Sequence, residues 1–287
     1  MIHVIIPVHN RLKKTITCLK SLEKQNIYKN LRIIIVNDGS NDGTKEHITK
    51  NFPQVNIING DGSLFWGGAI KLGIEYVLKK KKAGDWILIL NNDVELTPAT
   101  IAQLISISEN NKRKSLVIPL TLNAKNRSTV IKSGTIVKSW LFNITKHVFI
   151  GMKNEEITNK QPIIVDILTG RCVLHPIEMF KLTGNYDAIN FKHYGCDDEF
   201  SIRVKKYGYS ILLCPSTIIF LTENEQVTKY KKINFQNFFH TFFSVKSSSN
   251  IINKFKFTIK VVPKYAKLSF FLIAILKSFY IFFKKKH

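Results

Sequence analysis

The chain has 287 residues, of which 45% are hydrophobic, and this suits a two-part domain with a substantial core and an appendage. Four scattered cysteines without paired spacing exclude a disulfide framework and a zinc site. A formal net charge of +23 points to an anionic partner such as a nucleic acid, an anionic lipid surface or a phosphorylated substrate, although an AT-rich genome can account for part of it.

The amino-terminal residues predict a buried strand followed by a helix. Ile2–Val8 is an almost continuous apolar run, and a helical pattern extends from Leu12 to Gln25. No charged-then-apolar leader precedes the strand, so we expect no signal peptide and a cytoplasmic protein.

The next segments repeat the alternation of strand and helix. An apolar run at 31–36 ends in a turn rich in Asx and Gly, and a helix is predicted at 45–51. A short strand at 55–58 and a helix at 67–82 follow. Strands that alternate with helices predict a parallel sheet with right-handed crossovers.

A polar triplet, Asn91-Asn92-Asp93, follows the buried strand that begins at Trp86. Ligands of open α/β sheets bind beyond the carboxyl ends of the strands, so Asn91 and Asp93 can offer oxygens to a hard divalent cation. The alternative is an ordinary turn, because Asn and Asp are favoured turn residues.

Residues 61–69 combine glycines with apolar and aromatic side chains, and this composition predicts a binding loop rather than a surface turn. The alternative is that Phe65 and Trp66 fill the core beneath the sheet.

Further along, Asp197 and Asp198 precede a helical pattern that ends at Tyr207. Acidic residues at this end favour the helix dipole whatever their function, and the dipole is expected to lower their pKa.

The carboxyl-terminal segment is basic and strongly apolar. Two apolar runs, 268–276 and 279–283, are flanked by lysines, and Lys277 separates them. A span needs about 20 mainly apolar residues, so this pattern favours an interfacial helix over a transmembrane one. The alternative is a terminal helix packed on this domain or on another subunit. The phenylalanine-rich stretch 235–245 is expected to belong to the same apolar surface.

Three motifs occur in order at strand ends: residues 4–11 (VIIPVHNR), 37–44 (NDGSNDGT) and 90–93 (LNND). Together with 195–200 (GCDDEF) and Gly208-Tyr209, they resemble family 2 glycosyltransferases with the GT-A fold. The resemblance extends to about residue 220. It implies an α/β fold with a Rossmann-like, mostly parallel central sheet flanked by helices, an acceptor-side α+β half and a C-terminal helical tail. The implied boundaries are 1–110 for the nucleotide-sugar half, 111–222 for the acceptor and base half, and 223–287 for the tail.

The resemblance also implies roles for individual residues. Asp38 would contact the base or ribose of a nucleotide, or alternatively hold its loop as an Asx-turn residue. Asp93 and Asn91 would hold Mg²⁺ or Mn²⁺, and Asp197 would be the general base, with Asp198 as close competitor. The remaining donor-side candidates are Pro7, His9, Asn10, Arg11, Asp61, Trp66, Gly67 and Asn92, and those of the sugar and acceptor loops are Gly170, Arg171, His193 and Asp198. Arg171 would hold a phosphate, or alternatively form an exposed structural salt bridge, which is the more ordinary role of an arginine.

The sequence departs from the family pattern at two places. Asn91 stands where the metal motif carries its first Asp, and an amide oxygen contributes no formal charge. Relatives often place a metal-binding His after the strand that follows Gly-Tyr, but residues 211–223 contain none. Glu223, Asn224 or a water molecule would have to substitute.

The expected function is inverting transfer of a sugar from a nucleotide-diphosphate sugar to a glycan or lipid-linked acceptor. The setting implied is bacterial surface polysaccharide synthesis, at the inner face of the cytoplasmic membrane. One alternative is a catalytically weak or inactive sugar-nucleotide-binding scaffold. The other is a basic nucleic-acid-binding protein, which ranks far below because no helix-turn-helix, finger or aromatic RNP pattern is present.

Overall fold

The computed structural model describes residues 1–80, 82–221 and 234–284. Within them the strands are β1 (Ile2–Val8), β2 (Leu31–Asn37), β3 (Asn56–Asn59), β4 (Trp86–Leu90), β5 (Val94–Leu96), β6 (Ser115–Asn123), β7 (Val130–Lys132), β8 (Thr135–Ser139), β9 (Ile144–His147), β10 (Ile163–Val165), β11 (Cys172–Pro176) and β12 (Ser210–Leu221). The helices are α1 (Leu12–Glu23), α2 (Thr44–Asn51), α3 (Phe65–Leu78), α4 (Thr100–Asn110), α5 (Met179–Thr183), α6 (Cys196–Lys206), α7 (Phe235–Phe243), α8 (Ile251–Lys260) and α9 (Lys267–Lys284).

The main sheet has the strand order β10-β12-β6-β11-β4-β1-β2-β3, with β5 on β12 and β7 on β6. Strands β4, β1, β2 and β3 are mutually parallel, so their carboxyl ends lie at one edge. Beyond β4 the directions mix, because β11 runs antiparallel to both β4 and β6. The expected α/β sheet with flanking helices is confirmed.

Both faces of the central strands are covered, which explains their continuous apolar sequences. Successive side chains of β1 alternate between faces, so Ile5 joins one core with Ile70 and Ile74 of α3. Ile6 joins the opposite core with Leu19 and Leu22 of α1. Each fully buried aliphatic side chain stabilises the fold by about 1.5–3 kcal/mol. The two cores therefore fix the position of the sheet edge that carries the polar loops.

Helix α3 lies earlier in the chain than the sequence pattern predicts, at Phe65–Leu78 instead of 67–82. It begins at Phe65, so the expected loop ends at Leu64 and both Phe65 and Trp66 belong to the first helical turn. A contact with Asp38, described below, stabilises this start of the helix.

The C-terminal helices are attached to the second half of the domain. Phe270 of α9 packs against Trp140, with ring centroids 5.9 Å apart. Phe257 of α8 packs against Phe191 at 6.4 Å, and Lys260 forms an ion pair with Asp187 at 3.0 Å. The stretch 264–284 is long and apolar enough to cross a membrane by length and composition, with 22% of its apolar window buried.

Candidate active site

Asp38 follows β2 at the polar edge of the sheet and holds the entrance to α3. Its carboxylate accepts backbone N–H bonds from Gly62 (2.8 Å), Leu64 (3.3 Å) and Phe65 (3.0 Å). These bonds satisfy N–H groups that have no partner within the helix. The loop-holding role of Asp38 is thus visible in the structure, and its expected contact with a nucleotide stays a prediction.

Trp66 connects the start of α3 to the polar triplet. Its indole N–H donates to Asn91 Oδ1 at 2.9 Å, and its ring meets Tyr186 edge-on at 5.9 Å. A Cβ added at Gly170 would lie 2.8 Å from the Trp66 ring, so only glycine fits there. The Trp66 side chain therefore connects the start of α3 with Asn91 and residue 170, in addition to any contribution to the core.

Gly67 allows a second close approach. Its N–H donates to the Lys192 carbonyl at 2.8 Å. A Cβ at this position would lie 2.6 Å from the Phe191 carbonyl oxygen and 3.1 Å from Cys196 Sγ. The missing side chain lets α3 touch the loop that leads into α6.

Asp93 is paired with Arg171, which lies just before β11. Arg171 Nη1 donates to Asp93 Oδ2 at 3.0 Å, and the Arg171 carbonyl accepts the Asn91 N–H at 2.8 Å. Asn92 points elsewhere, because its amide donates to Thr15 of α1 at 3.0 Å and only 6% of the residue is exposed. The structure therefore places Asn92 against α1 and not with the expected donor-side group.

Asp197 and Asp198 lie in the first turn of α6. Asp197 Oδ2 accepts the Gly170 N–H at 3.3 Å, and its Oδ1 accepts the Asp198 N–H at 3.1 Å. Burial raises the pKa of Asp197 despite these bonds and the nearby positive charge of Arg171. Burial and the charge of Asp197 raise the pKa of Asp198 to about 8, while Lys254 of α8 opposes this. The expectation that the helix dipole lowers these pKa values is wrong, because desolvation outweighs it.

The residues after β1 pack on the neighbouring loop. His9 Nδ1 lies within hydrogen-bond distance of the Asp38 carbonyl. The Asn10 N–H donates to Ser40 Oγ at 2.8 Å. Arg11 adopts a left-handed conformation with φ 67° and precedes α1. Pro7, half-buried, remains inside β1.

The other two expected residues flank the entrance to α3. Asp61 is exposed, and its carboxylate accepts the Ser63 N–H and hydroxyl, both at 2.8 Å, which lowers the pKa of Asp61. His193 lies beside the Phe65 ring at 6.3 Å. Burial lowers the pKa of His193, and the positive charges of Lys246 and Arg11 add to this.

The contacts form one continuous set. Asp38 holds Phe65, and the next residue, Trp66, reaches both Asn91 and Gly170. Gly170 in turn bonds Asp197, and its neighbour Arg171 bonds Asp93. Residues far apart in the sequence thus lie around a single region at the end of the sheet.

Sequence reasoning missed Lys254, whose charge acts on Asp198 from the C-terminal helix α8. Nothing in the sequence distinguishes it, because the chain has 43 Lys and Arg residues and Lys254 is far from any motif. Lys132 was missed for the same reason. Burial lowers the pKa of Lys132, and the positive charge of Arg171 lowers it further.

The residues available to a metal ion are few. Within residues 1–80, 82–221 and 234–284 there is no group of three or more His, Cys, Asp or Glu side chains that can hold one. The expected substitutes Glu223 and Asn224 lie outside the described residues. The oxygen atoms at hand are those of Asn91 and Asp93, which bond Trp66 and Arg171.

Solved structures share this fold at low sequence identity. GalNAc-T7 with UDP, GalNAc and Mn²⁺ superposes with a TM-score of 0.61 and 16% identity over 94% of this chain and 53% of its own. TarS 1-349 from S. aureus gives 0.59 and 13% over 98% and 72%. The mannosyltransferase PcManGT from Pyrobaculum calidifontis, in complex with GDP-Man and Mn²⁺, gives 0.58 and 12% over 97% and 69%.

Sequence comparison identifies the family. The dolichyl-phosphate beta-glucosyltransferase ALG5A of Trichomonas vaginalis is 31% identical over 100 residues, which cover 31% of this chain and 29% of that relative. The chain thus matches less than a third of that protein's length. The family described as Glycosyl transferase family 2 matches residues 3–172, more than half of the chain. This chain therefore belongs to glycosyl transferase family 2.

Proposed function

We propose that this protein is an inverting glycosyltransferase that moves a sugar from a nucleoside diphosphate to a hydroxyl of a glycan or lipid-linked acceptor. The observation that supports it best is the contact set that links Asp38, Asp93 and Asp197 around the start of α3. Family membership supports the reaction class.

In the proposed reaction Asp197 is the general base. Its carboxylate takes the proton from the acceptor hydroxyl while that oxygen bonds the anomeric carbon. The bond from the anomeric carbon to the phosphate oxygen breaks in the same step, and its electron pair stays on the nucleoside diphosphate. A single displacement of this kind inverts the anomeric centre. The raised pKa of Asp197 makes it a stronger base than an ordinary carboxylate.

A divalent cation is the expected cofactor, and two relatives of the same fold were solved with Mn²⁺. Among residues 1–80, 82–221 and 234–284 the donor set does not fit a protein-made metal site. Asn91 is neutral and bonds Trp66, and the single carboxylate of Asp93 is shared with a guanidinium. A Mg²⁺ or Mn²⁺ ion would need most of its ligands from water and phosphate.

We assign the C-terminal segment to an anionic membrane surface, where a lipid-linked acceptor of a bacterial surface polysaccharide would be reached from the cytoplasmic side. Leu268, Leu272 and Leu276 form an exposed stripe along α9, at 74%, 53% and 67% exposure. Lysines accompany this stripe, so both apolar burial and attraction to anionic lipid favour the surface.

A second candidate function is a binding scaffold without turnover. The neutral Asn91 in the metal motif favours it, because one carboxylate fewer weakens the grip on a metal-bound diphosphate. The scaffold and the enzyme would share the donor site. They would differ in whether Asp197 acts as a general base.

The test begins with a thermal-shift screen of nucleoside diphosphates and their sugars, because a selective ligand raises the melting temperature by mass action. Nucleotide release is then measured with the selected donor and an acceptor. We expect Asp197→Asn to lower kcat by about 10²–10⁴-fold, the range for removal of a general base, with donor binding unchanged.

Asp198→Asn is the matched control, since the two carboxylates are adjacent in the first turn of α6. It should lose less than about tenfold. Donor binding without any nucleotide release would favour the scaffold, and equal losses in both variants would contradict the assignment of the base to Asp197.

A further inference from the structure

Arg171 pairs with Asp93, the carboxylate that the sequence motif retains. Its guanidinium contacts Asp93 at 3.0 Å, and the side chains of Arg171 and Asp93 are 25% and 10% exposed. A charged pair that is mostly removed from water, with a hydrogen bond along the contact, is held more firmly than a surface pair. The Arg171 guanidinium is therefore held in place at the edge of the sheet.

The backbone fixes the same arrangement. The Asn91 N–H donates to the Arg171 carbonyl at 2.8 Å, so the polar triplet and residue 171 are bonded by main chain as well as side chain. Gly170, the preceding residue, bonds Asp197. Arg171 is thus held between the metal motif and the proposed base, within electrostatic reach of both.

The contact with Asp93 uses only part of the hydrogen-bonding capacity of the Arg171 guanidinium. A guanidinium carries five N–H donors, and within the described residues the Arg171 side chain donates one hydrogen bond, to Asp93. Lys132 of β7 adds a second positive charge beside it, and it has no ion-pair partner among the residues that the structure describes. The Arg171 guanidinium therefore keeps unused N–H donors, and these donors together with the Lys132 ammonium are suited to phosphate oxygens.

We infer that the Arg171 guanidinium, bound to Asp93, takes the place of the divalent cation and binds the diphosphate of the donor, with Lys132 beside it. This rests on the proposed function, because it assumes that the cleft takes a nucleoside diphosphate. It accounts together for the neutral Asn91, the missing His in residues 211–223 and the unusual position of an arginine on the motif carboxylate.

The role requires geometry as well as charge. Guanidinium offers parallel N–H groups to two phosphate oxygens, whereas an ammonium acts as a point charge. The new negative charge on the leaving diphosphate would be met by a cation that is already in place and needs no ion from solution.

Binding of UDP, GDP and dTDP to the full chain, measured by calorimetry in EDTA and in Mn²⁺, tests this directly. For the diphosphate that binds, we expect dissociation constants in the two conditions within about threefold of each other. Arg171→Gln should weaken binding in EDTA by about tenfold or more, and Arg171→Lys should give an intermediate loss. The matching nucleoside should bind all variants equally.

The most specific expected result is that Mn²⁺ replaces the guanidinium when Arg171 is changed. In Arg171→Gln the Asp93 carboxylate loses its contact with the guanidinium, so Mn²⁺ should recover most of the lost diphosphate affinity. Arg32→Gln, an exposed arginine at the start of β2 and the far end of the sheet, is the matched control and should behave as wild type. Thermal unfolding without ligand establishes that each variant is folded.

Two outcomes would overturn the inference while leaving the proposed function standing: wild-type binding that is lost in EDTA and restored by Mn²⁺, or an Arg171→Gln variant with unchanged diphosphate affinity. A chain that binds no nucleoside diphosphate in either condition would overturn the proposed function as well. A variant that loses nucleoside and diphosphate equally would show a structural role for Arg171 and also contradict the inference.

Discussion

Two adjacent carboxylates begin α6, and burial raises the pKa of both. Protons leave such a pair in two steps that belong to the pair as a whole. Arg171 faces Asp197 from the loop before β11, and Lys254 faces Asp198 from α8. Each carboxylate thus has one cation from a different part of the chain, and these cations limit how far the pKa values rise.

The pH dependence follows from this placement. A base works only when it is ionised, so kcat/KM should fall as the pH drops through the raised pKa values of the pair. We expect the midpoint of this acid limb to lie above about 4, the ordinary carboxyl value. A pH profile of kcat/KM with the selected donor measures it. A midpoint at the ordinary value would show that burial does not control the base.

Lys254→Met extends the same argument. Removing this positive charge favours the protonated form of Asp198, so the midpoint of the acid limb should move to higher pH. Lys256→Met, on the same helix, is the matched control and should leave the midpoint in place. An equal shift in both variants would point to general charge rather than to a contact between α8 and the pair.

At the level of elements, α3 is the part that joins the two halves of the site. On one side of its first turn, the Phe65 N–H donates a hydrogen bond to Asp38. On the other side, Gly67 contacts the loop before α6. These contacts explain why the helix starts at Phe65, earlier than the sequence pattern indicates: the carboxylate of Asp38 provides a partner for the first N–H groups.

Gly67→Ala tests the close approach of α3. The new Cβ would lie 2.6 Å from the Phe191 carbonyl, so we expect a loss of about 1–3 kcal/mol in unfolding free energy, the usual range for overpacking. Denaturant unfolding measures it. Gly68→Ala is the matched control, and we expect a smaller loss there. Its Cβ would approach Leu64 Cβ to 3.1 Å, which is tight but less severe than the approach at Gly67, and alanine favours a helix over glycine by up to about 1 kcal/mol. Equal losses would contradict the special role of position 67.

At the level of the whole molecule, the C-terminal helices have a packed face and an exposed apolar face. One side of α8 and α9 packs through Phe257 on Phe191 and through Phe270 on Trp140. The other side of α9 leaves the leucine stripe exposed. The sequence alternatives of membrane tether and packed terminal helix are therefore compatible, since different faces of the same helices meet the two requirements.

Changing Leu268, Leu272 and Leu276 together to Ser should abolish sedimentation with vesicles that contain phosphatidylglycerol, because the apolar contribution to binding is lost. Thermal stability should stay close to wild type, since these side chains are exposed. The control changes Ile164 and Leu182 to Ser, two exposed apolar residues of the catalytic body. Sedimentation that survives the triple change, or is lost equally in the control, would contradict the membrane proposal.

The alternation of strand and helix and the polar strand ends can be predicted from the sequence alone. They follow from local rules, because buried strands are continuous apolar runs and turns use Asx and Gly. The order of the motifs predicts the family, and the resemblance to that family singles out Asp38, Asn91 and Asp197, each of which stands at a strand or helix end.

The partners of these residues, in contrast, depend on the three-dimensional packing of the chain. The pairing of Arg171 with Asp93, the bond from Trp66 to Asn91 and the charge of Lys254 near Asp198 all join residues more than 20 positions apart. Desolvation likewise depends on everything packed around a group, so the raised pKa values at the start of α6 were opposite to the local dipole argument. Local patterns set where a side chain leaves the backbone, whereas its partners and its dielectric surroundings come from the packing of distant segments.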